Sequence, residues 1–207
     1  MVKFISLLLA SALIGMAISS CTTTDKPIET EEEIPLPSGE GMPDTLVYQQ
    51  AKKISQEAFA ALSGALQKAI AEGSVLNAID LCKTQAGTLT RDLGRTHNVD
   101  VKRIAVRYRN PANAVNATEI QLFEDWSTQL SRGEEPAAVV LHEDGNQIWY
   151  GAIRIGSPLC LQCHGEEGKD IAEATLAQLQ STYPEDRATG FAMGDLRGAW
   201  KISYAGN

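Results

Sequence analysis

The chain has 207 residues, of which 26 are acidic and 18 are basic, so its formal net charge is −8. A hydrophobic content of 43% is near the globular average and excludes a disordered, collagen-like or multi-span membrane protein. The acidic balance, without any basic block, argues against nucleic acid as a partner. Four cysteines are too few for a disulfide scaffold, so each of them needs its own explanation.

The first 20 residues are typical of a secretory signal peptide of the lipoprotein type. A single lysine precedes an apolar run that is too short for a comfortable membrane span. Its end, Ile18-Ser19-Ser20-Cys21, resembles the bacterial lipobox, in which cleavage before the cysteine leaves a thiol that carries lipid. Thr22 is typical of sorting to the outer membrane. We therefore expect an exported, membrane-anchored lipoprotein that faces the periplasm. The alternative is an ordinary signal peptide with an incidental cysteine at Cys21.

Residues 21–45 are predicted to form a tether between the anchor and a folded domain. They contain four of the eight prolines and seven acidic side chains against one lysine. Such a segment buries too little apolar surface to fold, and its like charges extend it. Most of the net negative charge lies here, so the domain of residues 46–207 is not strongly acidic.

Two helices are predicted at the start of the domain. Apolar residues recur at four-residue steps over residues 46–71, and Asp44 or Thr45 is the expected cap. A second helix is expected over residues 74–93, with one apolar stripe along it. Cys82 lies on that stripe, so its sulfur is expected to point inward.

The rest of the domain is predicted to contain strands and further helices. Residues 101–108 alternate as a strand, which places Arg103, Arg107 and Arg109 on one face. Three or four antiparallel strands with flanking helices make an α+β domain. The other predicted elements are a helix of residues 116–130 with a capping box at Asn116 and Glu119 and with Ile120, Phe123 and Leu130 buried, a hairpin of residues 137–155 that turns at Asp144-Gly145, a helix of residues 169–182, and a strand of residues 198–204.

The run Cys160-Leu161-Gln162-Cys163-His164 carries the chemistry of the domain. C-x-x-C-H is the attachment pattern of c-type haem, in which two thiols bond to the vinyl groups of one haem and the adjacent histidine binds the iron. This attachment takes place outside the cytoplasm, where a signal peptide sends a chain. The alternatives are a thioredoxin-like redox pair, a zinc half-site and a structural disulfide. A redox pair is expected at a helix start just after a strand, and zinc needs a second paired-ligand cluster.

The residues alone leave the second axial ligand of the iron open. Cys82, His97, His142 and Met193 are candidates, and the position could also lack a protein ligand. His97 lies in a polar run and His142 at a hairpin turn, where solvated histidines are usual. Met193 is more commonly a core residue. Cys82 also has a simpler interpretation, as a small hydrophobic residue of the core.

Four strings of the domain together resemble one bacterial family. They are residues 107–113 (RYRNPAN), 160–165 (CLQCHG), 183–190 (YPEDRATG) and 194–199 (GDLRGA). In the same order, they are similar to strings in the family of single-haem c-type proteins with a PAS-like fold, described as a domain of unknown function. The similarity covers about residues 46–204.

The resemblance implies a PAS-like antiparallel sheet with N-terminal and flanking helices around one covalent haem c. In that family the iron is bound by the histidine of C-x-x-C-H and by a cysteine on an N-terminal helix, which correspond here to His164 and Cys82. An anionic thiolate stabilises ferric iron, so we expect a low reduction potential. Two protein ligands leave no open site on the iron, so we do not expect an enzyme such as an oxidase or peroxidase.

Two functions are compatible with such a site. The first is electron transfer at the cell envelope with an unknown redox partner. The alternative is a redox or gas sensor, in which reduction weakens the thiolate bond and NO or CO displaces it; a separate signalling partner would then be needed. Arg107 and Arg109 are candidate partners of the haem propionates, and a structural salt bridge is the alternative for Arg109.

Replacing Cys21 by alanine tests the predicted anchor. Cells that produce the wild-type chain are expected to incorporate radioactive palmitate into it, because acyl chains hold such a protein at a membrane. The Cys21→Ala variant is expected to carry no label. Cys82→Ala is the control, because removing a cysteine of the folded domain leaves the lipidation signal intact. Label retained by Cys21→Ala would show that the anchor prediction is wrong.

Overall fold

The computed structural model describes residues 41–206. The predicted signal peptide, Cys21 and most of the predicted tether lie outside these residues. Within them, a four-stranded antiparallel sheet packs against helices on both faces, which confirms the α+β class. No helix in this part of the chain is both long and apolar enough to cross a membrane. The elements are α1 (Asp44–Glu72), α2 (Val75–Thr84), α3 (Ala86–Thr96), β1 (Asp100–Ile104), a 3₁₀ turn (Pro111–Asn113), α4 (Ala117–Ser131), β2 (Val139–Glu143), β3 (Asn146–Arg154), α5 (Pro158–His164), α6 (Glu173–Thr182) and β4 (Leu196–Tyr204).

The strands lie in the order β1-β4-β3-β2, so the last strand of the chain is central. β2 and β3 form the predicted hairpin. Its turn residues Asp144 and Gly145 have φ values of 49° and 79°, the left-handed conformations that a two-residue hairpin turn requires. β4 then pairs with both β1 and β3, which confirms the predicted closing strand.

The two faces of the sheet carry separate parts of the core. On one face Trp149, Trp200 and Ile202 pack against the buried side of α1. On the other face Tyr150 and its neighbours pack against the aromatic side of α4. Alternate residues of β3 and β4 therefore face opposite helices, as the two-residue period of a strand dictates.

The predicted helix of residues 74–93 is in fact two helices that meet at Gln85. Ser74 caps the first of them as expected, since its hydroxyl accepts a hydrogen bond from the Leu76 amide at 3.2 Å. The Thr84 hydroxyl donates to the Asp80 carbonyl oxygen at 2.8 Å, a back-bond that bends helices. Because the helix stops there, the predicted stripe is not continuous, and α2 packs against α1, α3 and α6.

Contrary to the prediction, Cys82 therefore does not lie on a buried helical stripe. α2 buries Ala78 and Ile79, and Ile79 packs against Ile171 and Leu179. Cys82 is exposed and does not belong to the core. Its interpretation as a small hydrophobic core residue is excluded.

The first strand is shorter than predicted, because it ends at Ile104. The Ala105 amide bonds to the carbonyl oxygen of Asn113 at 2.9 Å, so the chain leaves the sheet for the 3₁₀ turn. Arg107 and Arg109 consequently do not share a strand face with Arg103. Val106, which follows the strand, is 47% exposed.

Smaller differences concern the helices. α1 has Pro43 before its first residue and no side-chain cap, so Asp44 and Thr45 are helical. Ile120 is 43% exposed beside an open groove, whereas Phe123 is buried as predicted.

α6 begins four residues later than expected. Residues 166–171 form a turn first, in which the Glu166 amide bonds to the Asp170 carboxylate at 2.9 Å. The capping box at Asn116 and Glu119 is present as predicted.

Glu119 ties α4 to the sheet and provides a stability test. Its carboxylate accepts hydrogen bonds from the Lys201 ammonium at 2.7 Å and from the Tyr150 hydroxyl at 3.3 Å, and the residue is only 3% exposed. Glu119→Gln keeps a capping acceptor but leaves the partly buried ammonium without its counter-charge. We expect urea denaturation to give a free energy of unfolding lowered by about 2 kcal/mol. Glu124→Gln, at an exposed position of the same helix, should change it by less than about 0.5 kcal/mol. Equal losses would contradict the assignment.

Candidate functional site

The C-x-x-C-H motif forms the short helix α5, which follows β3 after a three-residue connection. Pro158 lies in its first turn, where a missing amide hydrogen costs nothing. Cys160 and Cys163 are three residues apart on this helix, so their thiols lie on one side of it. Cys160 and Leu161 pack against a small cluster of Ile155, Ala188 and Phe191, which fixes α5 to the loop before β4.

This placement overturns one argument made from the sequence. The motif does lie on a helix just after a strand, so position does not separate it from a thioredoxin-like redox pair. Burial raises the pKa of Cys163 above its usual range, and the charge of Arg109 opposes this shift. Cys160 and Cys163 are free thiols in this structure.

His164 is held in one tautomer. Its Nδ1 lies 2.7 Å from the carbonyl oxygen of Ala188, to which it donates a hydrogen bond. The Nε of Arg197 is 3.2 Å from the same nitrogen. Since Nδ1 carries the proton in the shorter contact, it cannot also accept one from Arg197. No hydrogen bond to Nε2 of His164 occurs within residues 41–206, so this nitrogen keeps its lone pair.

The imidazole of His164 is neutral at physiological pH. Burial is the main cause, and the charges of Arg197 and Arg109 add to it, so its pKa lies well below the ordinary value. A neutral imidazole with a fixed Nδ1–H and a free Nε2 is the form in which histidine binds a metal.

Arg109 and Asp186 clamp the loop that holds His164. The Nε of Arg109 donates to the Asp186 carboxylate at 2.9 Å, and both side chains are nearly buried. One terminal nitrogen of the same guanidinium donates to the carbonyl oxygens of Cys163 at 2.6 Å and Ala188 at 3.3 Å. Asp186 also accepts a hydrogen bond from the Ala188 amide at 2.8 Å. Arg109 was predicted either to bind a haem propionate or to form a structural salt bridge. The contacts with Asp186 show the structural salt bridge.

Arg107 lies at the edge of the same loop. Its Nε donates to the carbonyl oxygen of Arg187 at 3.2 Å, and a terminal nitrogen donates to that of Thr189. The guanidinium stacks on the ring of Phe191, with 4.0 Å between its central carbon and the ring centroid. Phe191 in turn meets the His164 ring edge-on.

Cys82 faces this site from α2. Desolvation raises the pKa of the Cys82 thiol, and the charges of Arg103 and Arg109 oppose the shift. Cys82 in turn raises the pKa of Cys163. Arg109 acts on Cys82, Cys163 and His164, so the structure brings these three predicted residues into one neighbourhood.

The other candidate ligands of the iron lie elsewhere. The Nε2 of His97 is 2.7 Å from the Glu57 carboxylate, and this half-buried pair differs from the solvated histidine that was expected. His142 is exposed as predicted and pairs with Asp44 at 2.9 Å. Met193 is 49% exposed, so its interpretation as a core residue is wrong. Residues 41–206 contain no group of three or more His, Cys, Asp or Glu side chains placed to hold a metal ion.

Arg197 and Asp186 of the site were not identified from the sequence, and Arg103 was only placed on one strand face with Arg107 and Arg109. Burial lowers the pKa of Arg103, and burial together with Arg109 and Arg103 lowers the pKa of Arg197 to about 9. Both guanidinium groups are cations at pH 7, because an arginine does not lose its proton in a protein. Asp186 is neutralised by Arg109. The site therefore carries positive charge that no neighbouring carboxylate balances in the described part of the chain. Asp186 and Arg197 lie in strings on which the family resemblance was based, which was a usable signal.

Replacing Arg109 by glutamine tests the clamp. Glutamine is shorter and uncharged, so the carbonyl oxygens of Cys163 and Ala188 lose their common partner, and Asp186 is left as an unpaired, nearly buried charge. We expect hydrogen exchange to become about tenfold or more faster in peptides from residues 158–165 and 186–191, which corresponds to a local loss of about 1.4 kcal/mol or more. The hairpin of residues 139–154 should keep its protection. Arg187→Gln is the matched control, since Arg187 is exposed and stacks on Tyr108. Unchanged exchange in Arg109→Gln would contradict the clamp.

Comparisons with known proteins give a family and a fold. The family model described as Tll0287-like matches residues 16–205. Among solved structures, the chain is similar to the crystal structure of the cyanobacterial heme-protein Tll0287, with 20% sequence identity and a TM-score of 0.60. That similarity covers 79% of this chain and 97% of the other, and at such an identity it shows the fold alone. No curated protein matches the chain.

Proposed function

The chain belongs to the Tll0287-like family, and from that premise we propose that it is a redox-active haem protein. In this proposal Cys160 and Cys163 hold one haem covalently, as haem c, and His164 and Cys82 bind its iron. The cyanobacterial protein with the same fold is named as a heme-protein. The observation that carries the proposal is the state of His164, a neutral imidazole whose Nδ1 is engaged and whose Nε2 is free, one residue after the second thiol of a C-x-x-C motif.

The donor set fits a c-type haem better than the alternatives. Two free thiols on one side of a short helix meet the need for two thioether bonds at a fixed spacing. Two charged arginines without carboxylate partners, Arg103 and Arg197, suit a group that brings negative charge. A bound haem supplies a one-electron ferric/ferrous couple.

In this proposal His164 and Cys82 set the reduction potential of that couple. The hydrogen bond from His164 to Ala188 fixes the plane of the imidazole and raises its basicity as a ligand. A thiolate from Cys82 would add negative charge and favour the ferric state, which gives a low reduction potential. With both axial positions filled by the protein, electron transfer is the proposed activity, and no catalytic role is assigned.

Two further predictions belong to this proposal. The four-stranded antiparallel sheet with its N-terminal helices agrees with a PAS-like arrangement, which we propose by resemblance. We also propose that lipid on Cys21 holds the domain at the periplasmic side of a membrane, with the outer membrane as the expected location. A redox partner would then meet the domain within the envelope.

A pyridine haemochrome spectrum and a redox titration test the proposal. The mature chain, produced together with a haem-attachment system, is expected to carry one covalent haem c. Cys82→Ser should shift the Soret band and raise the potential by about 0.1 V or more, since axial ligands set haem potentials over a range of about 0.8 V. Met193→Ala is the matched control, because it removes another sulfur candidate, and both properties should stay at the wild-type values. Absence of covalent haem would contradict the proposal, and an unchanged Cys82→Ser spectrum would contradict the ligand assignment.

Stopped-flow mixing of the reduced protein with NO or CO separates electron transfer from the sensor alternative. If both axial ligands persist in the ferrous state, the wild type is expected not to bind either gas, whereas Cys82→Ser binds them because one position is open. Rapid binding by the wild type would favour a gas sensor and would mean that reduction breaks the bond to Cys82.

A further inference from the structure

Arg103 lies on the side of the sheet that faces Cys82. In the ladder between β1 and β4 it is opposite Trp200, and residues opposite each other in an antiparallel pair project from the same face. Trp200 packs against α1, so Arg103 also projects toward the N-terminal helices. Its adjacent residue, Lys102, projects from the other face.

The guanidinium of Arg103 is partly buried and has no carboxylate partner in residues 41–206. Other basic groups of the same region are paired: Lys102 with Asp100 at 3.0 Å, Arg109 with Asp186 at 2.9 Å and Lys201 with Glu119 at 2.7 Å. No hydrogen bond or ion pair of this kind involves the Arg103 side chain in the described part of the chain. Arg103 is thus a cation of the site whose partner is not a residue of that part.

The groups around Arg103 do not supply the missing charge. Cys82 on α2 and Tyr183 after α6 are the groups that raise the pKa of Arg103, and burial raises the pKa of Tyr183 to about 12, so the phenol is neutral. On the remaining sides His164 is neutral, and Arg109 and Arg197 are cations. Burying a charge without a partner is costly, and an arginine cannot lose its proton to avoid that cost.

We propose that Arg103 is the carboxylate-binding residue of the site and pairs with a propionate of the haem. This inference rests on the proposed function. The planar fork of a guanidinium matches a carboxylate through two parallel hydrogen bonds, which a single sulfur cannot accept in the same way. Arg103 therefore replaces Arg109, whose donors are taken by Asp186 and two backbone carbonyls, as the propionate partner.

Binding of two ligands, one with free carboxylates and one without, to the wild type and to a variant of Arg103 tests this contact. The mature full-length chain, produced without attached haem, is titrated with hemin and with hemin dimethyl ester, in which both carboxylates are neutral. The wild type is expected to bind hemin about 10- to 100-fold more tightly than the ester, the range for a hydrogen-bonded charge pair. In Arg103→Gln this preference should fall by about tenfold or more, with the affinity for the ester unchanged.

Control variants make the result specific. Lys102→Gln removes the same charge one residue away on the opposite face and should keep the wild-type preference. Arg103→Lys keeps the charge but loses the fork, so an intermediate preference is expected. If circular dichroism shows that Arg103→Gln does not fold, the preference of Arg103→Lys for hemin over the ester is compared with that of the wild type instead.

Three outcomes would overturn the proposal. A wild-type preference retained by Arg103→Gln would place the carboxylate elsewhere. Equal weakening of both ligands would mean that Arg103 acts on the Cys82 thiolate or on the fold. Binding of neither ligand by the wild type would instead contradict the proposed function itself.

Discussion

The hydrogen bond between His164 Nδ1 and the carbonyl oxygen of Ala188 connects the C-x-x-C-H helix to the rest of the domain. It fixes the tautomer of the imidazole, and it requires that the loop before β4 keep one conformation. That loop is secured by Asp186 and Arg109 and by two further backbone bonds, from the Gly190 amide to Gly165 and from the Phe191 amide to His164. Gly190 makes the turn possible, because its φ of 72° is strained for any residue with a side chain.

The site is built outside the main core. The two faces of the sheet are filled by tryptophan, tyrosine and aliphatic side chains that pack against α1 and α4. α5 is held instead by a small cluster around Ile155 and by the Arg109–Asp186 pair, whereas α2 packs against α1, α3 and α6. Because the contacts of α5 are few and partly polar, changes at α5 are expected to alter its local order more than the global free energy of unfolding.

Local patterns in the sequence predicted local structure well. The hairpin follows from Asp144-Gly145 between alternating strands, and α4 follows from the capping box at Asn116, since each signal lies within a few residues of the structure it specifies. The helix over residues 74–93 had the right periodicity but not the break at Gln85, which accompanies packing of α2 against α6. Because the apolar stripe over residues 74–93 is interrupted at Gln85, the stripe alone does not show whether Cys82 is buried. α5 was missed because seven residues are too few to show a helical period.

The candidate site was predictable only in part. C-x-x-C-H is a contiguous motif, so Cys160, Cys163 and His164 follow from the sequence directly. Arg109 and Asp186 are 77 positions apart, and nothing in the pattern of either segment indicates that they pair. Without that pair, Arg109 is an equally good candidate for a propionate, and the unpaired Arg103 cannot be distinguished from it. Charge balance within the folded site was needed to separate the two roles.

X-ray absorption at the iron edge tests most directly whether one iron is held between α5 and α2. For the ferric wild-type protein we expect one sulfur scatterer among the nearest neighbours of the iron, together with the nitrogens of the haem and of His164. In Cys82→Ser that sulfur should be absent, while the covalent haem is retained. A first shell without sulfur in the wild type, or with sulfur retained in the variant, would show that Cys82 does not bind the iron.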